Sequence, residues 1–74
     1  MSYHFTAIIE KDRESGMYVG SVPAISGAHT FAPTIDELQT RLTEVLTLCL
    51  EEMNPEEIAT LPVFAGITNI EVVV

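Results

Sequence analysis

Few side chains in this sequence are of the types that carry out catalysis. It has two histidines, His4 and His29, and one cysteine, Cys49. A metal site built from such residues needs a further ligand close by, and the sequence contains no cluster with that spacing. Cys49 falls on a helical apolar stripe, where a free cysteine packs as a small apolar side chain. We therefore predict no catalytic residue, no cofactor and no metal ion.

The acidic residues are the better candidates for a functional surface. Eleven acids against three bases give a net charge of -8, which repels phosphate backbones and attracts basic surfaces. We therefore expect no direct binding to nucleic acid and favour a basic protein partner. The candidate partner-binding residues are Glu44, Glu51, Glu52, Glu56, Glu57 and His29. For each single acid, the alternative interpretation is an ordinary solvated helix face.

A small sheet must position these residues. Alternating apolar residues predict a strand over residues 3–10 and a returning strand over residues 17–22, joined by a polar hairpin loop that contains Gly16. Pro23 stops the second strand because it has no N–H for the ladder. A turn then leads to a short third strand over residues 28–32.

After the third strand, the apolar period becomes that of an amphipathic helix. Thr34 and Glu37 fit a capping box, and apolar residues recur at helical spacing over residues 35–53. Asn54 and Pro55 end this helix and begin a short helical turn, with Asn as the cap and Pro in the first turn.

A final apolar run predicts a fourth strand over residues 67–74. The expected fold is α+β, in which one main helix covers one face of a four-stranded sheet in the order β-β-β-α-β. The chain is short enough to form a single domain, residues 1–74. The predicted core comprises Phe5, Ala7, Ile9, Tyr18, Val22, Ile25, Leu38, Leu42, Val45, Leu46, Cys49, Leu50, Ile70 and Val72. Without a signal peptide or an apolar run of membrane-spanning length, we expect a cytoplasmic protein with no membrane partner.

Several short strings in a fixed order carry a family resemblance. They are Glu-Lys-Asp at 10–12, Gly-Met-Tyr-Val at 16–19, Val-Pro-Ala-Ile-Ser-Gly at 22–27, Thr-Ile-Asp-Glu-Leu at 34–38, Phe-Ala-Gly-Ile at 64–67 and Ile-Glu-Val at 70–72. In this order and spacing they resemble the HicB-type antitoxins, over nearly the whole chain. The sequence departs from the family pattern at Ala28, where Cys is common, and at Ala32-Pro33, where a Gly is common.

The resemblance implies a partial ribonuclease-H-like fold and the function of a type II antitoxin. The usual partner of the family is a small basic toxin, HicA-like, that cleaves mRNA, and the antitoxin covers the active site and RNA surface of that toxin. Many members also carry a DNA-binding domain after the region matched here. We expect this chain to lack that domain and therefore not to regulate its own operon through it.

A working ribonuclease-H site needs several carboxylates that converge on divalent ions, one of them on the first strand. Residues 3–9 contain no acid and Glu10 lies at the strand's end, so we expect no enzymatic activity. A metal-dependent hydrolase that uses Glu10 or His29 is the least favoured class.

The leading hypothesis is an antitoxin that binds a small basic toxin and forms a homo-oligomer, a dimer or higher. The alternative is an orphan oligomeric binding or regulatory module of the same fold without a toxin. In that case an apolar strand at residues 72–74 pairs across a two-fold axis.

Overall fold

The structure, a computed structural model, describes residues 3–74. Strands β1 (Ile8–Lys11), β2 (Tyr18–Ser21) and β3 (His29–Ala32) are followed by helices α1 (Ile35–Glu51) and α2 (Pro55–Ala59). The strands form one antiparallel sheet in the order β1-β2-β3. Helix α1 packs on one face of this sheet, over β2 and β3. The α+β class with one main helix is therefore confirmed.

The predicted fourth strand does not form within this chain. Residues 67–74 belong to no strand, and Ile70 and Val72, both predicted as core, are 78% and 74% exposed. The period-2 pattern shows which side chains share a face, but it does not say which edge provides the hydrogen bonds. The described sheet thus has three strands, and the ribonuclease-H-like arrangement stays a prediction.

The core lies between α1 and the inner face of the sheet. Its buried apolar residues are Val22, Ile25, Ala28, Ala32, Leu38 and Leu42. The predicted core residues that lie half-buried against them are Phe5, Ala7, Tyr18, Val45, Leu46, Cys49 and Leu50. Ile9 was also predicted as core, but it is 41% exposed because α1 lies over the other two strands rather than over β1.

Gly20 allows α1 to approach β2 closely. A Cβ at this position would lie 2.8 Å from Cδ1 of Leu42 and 3.1 Å from Cδ2 of Leu38. Both leucines are buried, so neither has room to move aside. Cross-strand partners share a face, so Ile9 and Thr30, the partners of Gly20, also project toward α1.

Both helices begin at the predicted caps. The Thr34 side chain accepts a hydrogen bond from the Glu37 N–H at 3.2 Å, but the Glu37 carboxylate lies 3.7 Å from Arg41. The capping box at α1 is therefore half formed, since Glu37 turns toward the cation one helical turn further on. At α2 both halves form between Asn54 and Glu57.

Hydrogen bonds from Ser15 to Asp12 hold the β1–β2 loop in place. The Ser15 hydroxyl donates to the Asp12 carboxylate at 2.6 Å, and the Ser15 N–H donates to the same oxygen at 3.2 Å. These hydrogen bonds hold the pKa of Asp12 below its ordinary value of 3.8. Gly16 follows with a φ of 75°, the positive value predicted for this loop.

Neither helix within residues 3–74 combines the length and the apolar character needed to cross a membrane.

Leucine-to-alanine substitutions at two positions of α1 should differ in their effect on stability, because one side chain is buried and the other is exposed. Leu38→Ala should lower the free energy of unfolding by about 3 kcal/mol, because it opens a cavity in the core. Leu48→Ala is the matched control, since Leu48 is 64% exposed and should change stability little. Urea denaturation of both variants measures the difference, and equal losses would contradict the packing described here.

The Asp12–Ser15 contact predicts a pH dependence. The lowered pKa of Asp12 means that its contribution to stability is present above its unfolded-state pKa and is lost as the pH falls through the folded-state value. Ser15→Ala should raise the pKa of Asp12, as followed by an NMR titration of the side-chain carboxyl. Ser26→Ala, at a different turn, should leave that titration unchanged; an unshifted pKa in Ser15→Ala would contradict the assigned cause.

Candidate functional site

Four of the predicted acids lie where the two helices meet. Glu51 is the last residue of α1 and Glu52 is its C-cap, while Glu56 and Glu57 occupy the first turn of α2. All four are exposed. We call residues 51–57 the acidic corner.

The chain turns sharply at the acidic corner because one helix stops and the next begins almost at once. Only Met53 separates the C-cap Glu52 from Asn54, which is the N-cap of α2. The Asn54 side chain accepts from the Glu57 N–H at 2.8 Å, and the Glu57 carboxylate accepts from the Asn54 N–H at 3.4 Å. Capping therefore gives Glu57 a structural role, and Glu56 lies where the positive end of the helix dipole favours an acid.

Helix stability does not explain the other two acids of the corner. Glu51 and Glu52 stand at the end of α1, where the helix dipole is negative, and the last turn of α1 has no basic residue. Within residues 3–74, the recorded ion pair joins Arg41 to Glu37, more than two turns before the end of α1. Among the described residues, no cation pairs with either of these two acids.

Glu44 extends the acidic surface along α1. It lies seven residues before Glu51, so the two share one face of the helix. Leu48 lies between them on that face, four residues after Glu44 and three before Glu51, and it is exposed. We call Glu44, Leu48, Glu51 and Glu52 the Leu48 face.

Leu48 was not predicted as a candidate site residue, although the sequence carries a signal for it. Leu48 lies outside the apolar stripe of α1, which packs on the sheet, and therefore interrupts the polar face of an otherwise amphipathic helix. Leu48 thus places one exposed apolar side chain between acids on the outer face of α1.

His29 does not lie with the acids. It pairs with Ser21 across the sheet, one position from the Gly20–Thr30 pair that faces α1. Because successive side chains of a strand point to opposite faces, the His29 side chain lies on the sheet face away from α1. The structure thus groups the five predicted acids on α1 and α2 and separates the histidine from them.

The described residues contain no group of three or more His, Cys, Asp or Glu side chains placed to hold a metal ion. Cys49 is half-buried and packs against the cluster that contains Val22 and Ile25. This is the apolar role predicted for it.

Neutralising the two acids at the end of α1 should stabilise the fold. Glu51→Gln combined with Glu52→Gln should raise the free energy of unfolding by about 0.5 kcal/mol at low ionic strength, because it removes two acids from the negative end of the dipole. Glu37→Gln, in the first turn and paired with Arg41, should lower it. Urea denaturation tests both, and a loss of stability in the double variant would mean that those acids support the fold.

Proteins from three organisms are similar to this chain. A UPF0150 protein of Thermotoga maritima is 46% identical over 68 residues, which cover 92% of this chain and 88% of that protein. A UPF0150 protein of Synechocystis sp. is 40% identical over 68 residues, covering 92% of this chain and 93% of its own. A UPF0150 protein of Archaeoglobus fulgidus is 49% identical over 47 residues, or 64% of this chain and 67% of that protein. No family model and no solved structure matches.

Proposed function

This chain belongs to the UPF0150 family, and from that premise we propose that it is a cytoplasmic antitoxin without catalytic activity of its own. It binds a small basic, mRNA-cleaving toxin and covers the RNA-binding surface of that toxin, as its resemblance to HicB-type proteins implies. The observation that carries the proposal is the Leu48 face: an exposed leucine between acids, of which Glu51 and Glu52 pair with no cation within residues 3–74.

The Leu48 face suits a basic partner for two physical reasons. An apolar side chain at the centre of an interface supplies most of the binding energy, while charges at the rim guide the approach and set specificity. Glu51 and Glu52 also stand where they weaken their own helix. A cation of the partner placed there would remove this repulsion, so binding would stabilise the end of α1.

The overall charge supports the same function. A net charge of -8 keeps this chain away from RNA phosphates. The same charge attracts a protein whose surface is built to bind those phosphates. An inhibitor that works by covering an RNA-binding surface needs this complementarity and no active site.

A second candidate function is an oligomeric binding or regulatory module that has no toxin partner. The exposed apolar residues 67–74 favour it, since they offer a surface for self-association. The two functions differ in whether a basic partner exists.

The antitoxin function predicts rescue of growth. We would co-express this chain with the product of an adjacent gene for a small basic protein, follow growth, and weigh the complex by native mass spectrometry. Leu48→Ala should weaken binding about tenfold or more. Glu51→Lys combined with Glu52→Lys should weaken it further, and affinity should fall with added salt.

The matched control reverses two acids away from the Leu48 face. Glu10→Lys combined with Glu14→Lys makes the same change of net charge in the β1–β2 hairpin and should reduce affinity less. Absence of toxicity and of a complex would reject the antitoxin function. Equal losses in the two double variants would reject the Leu48 face as the contact surface.

A further inference from the structure

Residues 67–74, here called the arm, expose apolar side chains that a folded chain normally buries. Ile67 is 72% exposed and Val73 is 85% exposed, like Ile70 and Val72 between them. The radius of gyration of the chain is 14.2 Å and its longest extent is 43 Å. A compact domain of this length would have a radius of gyration of about 11 Å. The arm therefore extends away from the body of the fold.

The arm has the composition of a strand but lacks a sheet. Its isoleucines and valines are β-formers, and apolar residues alternate over Ile70, Val72 and Val74. Among the described residues, no main-chain hydrogen bond joins the arm to β1, β2 or β3. Its backbone groups are thus ready to pair with the edge of a sheet.

The outer edge of β1 has main-chain groups that could accept the arm. The Asp12 N–H donates to the Met17 carbonyl at 2.8 Å, which makes these two residues a hydrogen-bonded pair. Bonded and non-bonded pairs alternate along an antiparallel ladder. The main chain of Ile8 therefore points toward β2, and that of Ile9 points outward, where none of the described residues bonds to it.

The outer edge of β3 is partly occupied. The Val22 N–H donates to the Ala28 carbonyl at 2.9 Å, so the same alternation makes His29 and Phe31 the outward residues of β3. The Arg41 guanidinium donates to the Phe31 carbonyl at 2.7 Å, and the His29 N–H donates to the Gly27 carbonyl at 3.0 Å. Of the two edges, β1 is therefore the less obstructed for a new strand.

The position of the arm's start favours exchange between two copies. Residues 62–67 line one cleft with His4, Phe5, Thr6 and Ile8, so the arm leaves the body beside the start of β1. The arm follows Gly66, whose backbone is close to extended, with a φ of 158°. When each of two copies starts its arm beside the edge that accepts the other arm, a two-fold axis satisfies both contacts at once.

We propose that this chain forms a two-fold dimer in which the arm of each copy adds to β1 of the other as a fourth strand. The contact covers Ile9, which faces the α1 side of the sheet yet is half exposed in the single chain. The arm itself holds one charged residue, Glu71, so little charge is buried. This inference does not rest on the antitoxin function.

Charge gives the dimer a salt dependence opposite to that of a toxin complex. Two chains of net charge -8 repel each other, and salt screens that repulsion. The dimer should therefore become tighter as salt is added, whereas contact with a basic partner should weaken. The direction of the salt dependence therefore distinguishes the dimer from the toxin complex, and either proposal can be rejected without the other.

Sedimentation equilibrium of the full chain tests the proposal. The wild type should have twice the mass of the 8.1 kDa chain. Ile9→Pro removes the outward N–H of β1 without breaking a β1–β2 hydrogen bond, and Val72→Lys places a charge in the arm; both should give monomers. Phe31→Pro, on the outward side of β3, and Leu48→Lys, on α1, are matched controls that should remain dimers. Circular dichroism confirms that each variant is folded.

Hydrogen exchange identifies the contact. Amides of residues 67–74 and of Ile9 should be protected in the wild type and lose protection in Ile9→Pro and Val72→Lys. A wild-type monomer overturns the proposal, and so does a monomer with a protected arm, because the arm would then pair with its own β1. A dimer that survives both Ile9→Pro and Val72→Lys overturns it as well.

Discussion

The contact of α1 with the glycine of β2 is the constraint on which the fold depends. Leu38 and Leu42 reach the sheet because Gly20 presents no side chain to them. This contact places the axis of α1 over β2 and β3 and leaves the β1 side less covered. The exposure of Ile9 follows from the same placement. Gly20 in the middle strand thus determines that α1 covers β2 and β3 and leaves the β1 side of the sheet more exposed.

The local features were the predictable ones. The N-caps Thr34 and Asn54, the positive φ of Gly16 and the helical stripe each depend on interactions within a few residues, so their signals are complete in the sequence. The reciprocal half of the α1 capping box failed because Arg41 competes for the same carboxylate. The fate of residues 67–74 was not predictable, because alternation specifies a strand's faces and leaves its neighbour undetermined.

The candidate site was only partly visible for a similar reason. Net charge and helix phase were enough to place Glu44, Glu51 and Glu52 on the surface. His29, predicted as a partner-binding residue on an edge strand, lies apart from the acids, since strand parity turns its side chain to the sheet face away from α1. Leu48 was passed over because periodicity analysis looks for residues that fit the apolar stripe, and this residue matters because it does not fit.

The Arg41–Phe31 hydrogen bond has a consequence for solubility. A three-stranded sheet with two free edges could add strands on both sides, and identical chains could then stack without limit into fibrils. Here the Arg41 guanidinium donates a hydrogen bond to the Phe31 carbonyl at the β3 edge, and the His29 N–H at the same edge donates to the Gly27 carbonyl. Strand addition at β3 would first have to break both hydrogen bonds, so β1 is the favoured edge, and a two-fold exchange of arms uses that edge in both copies at once. The Arg41 side chain thereby makes the β3 edge a poorer template for a further strand.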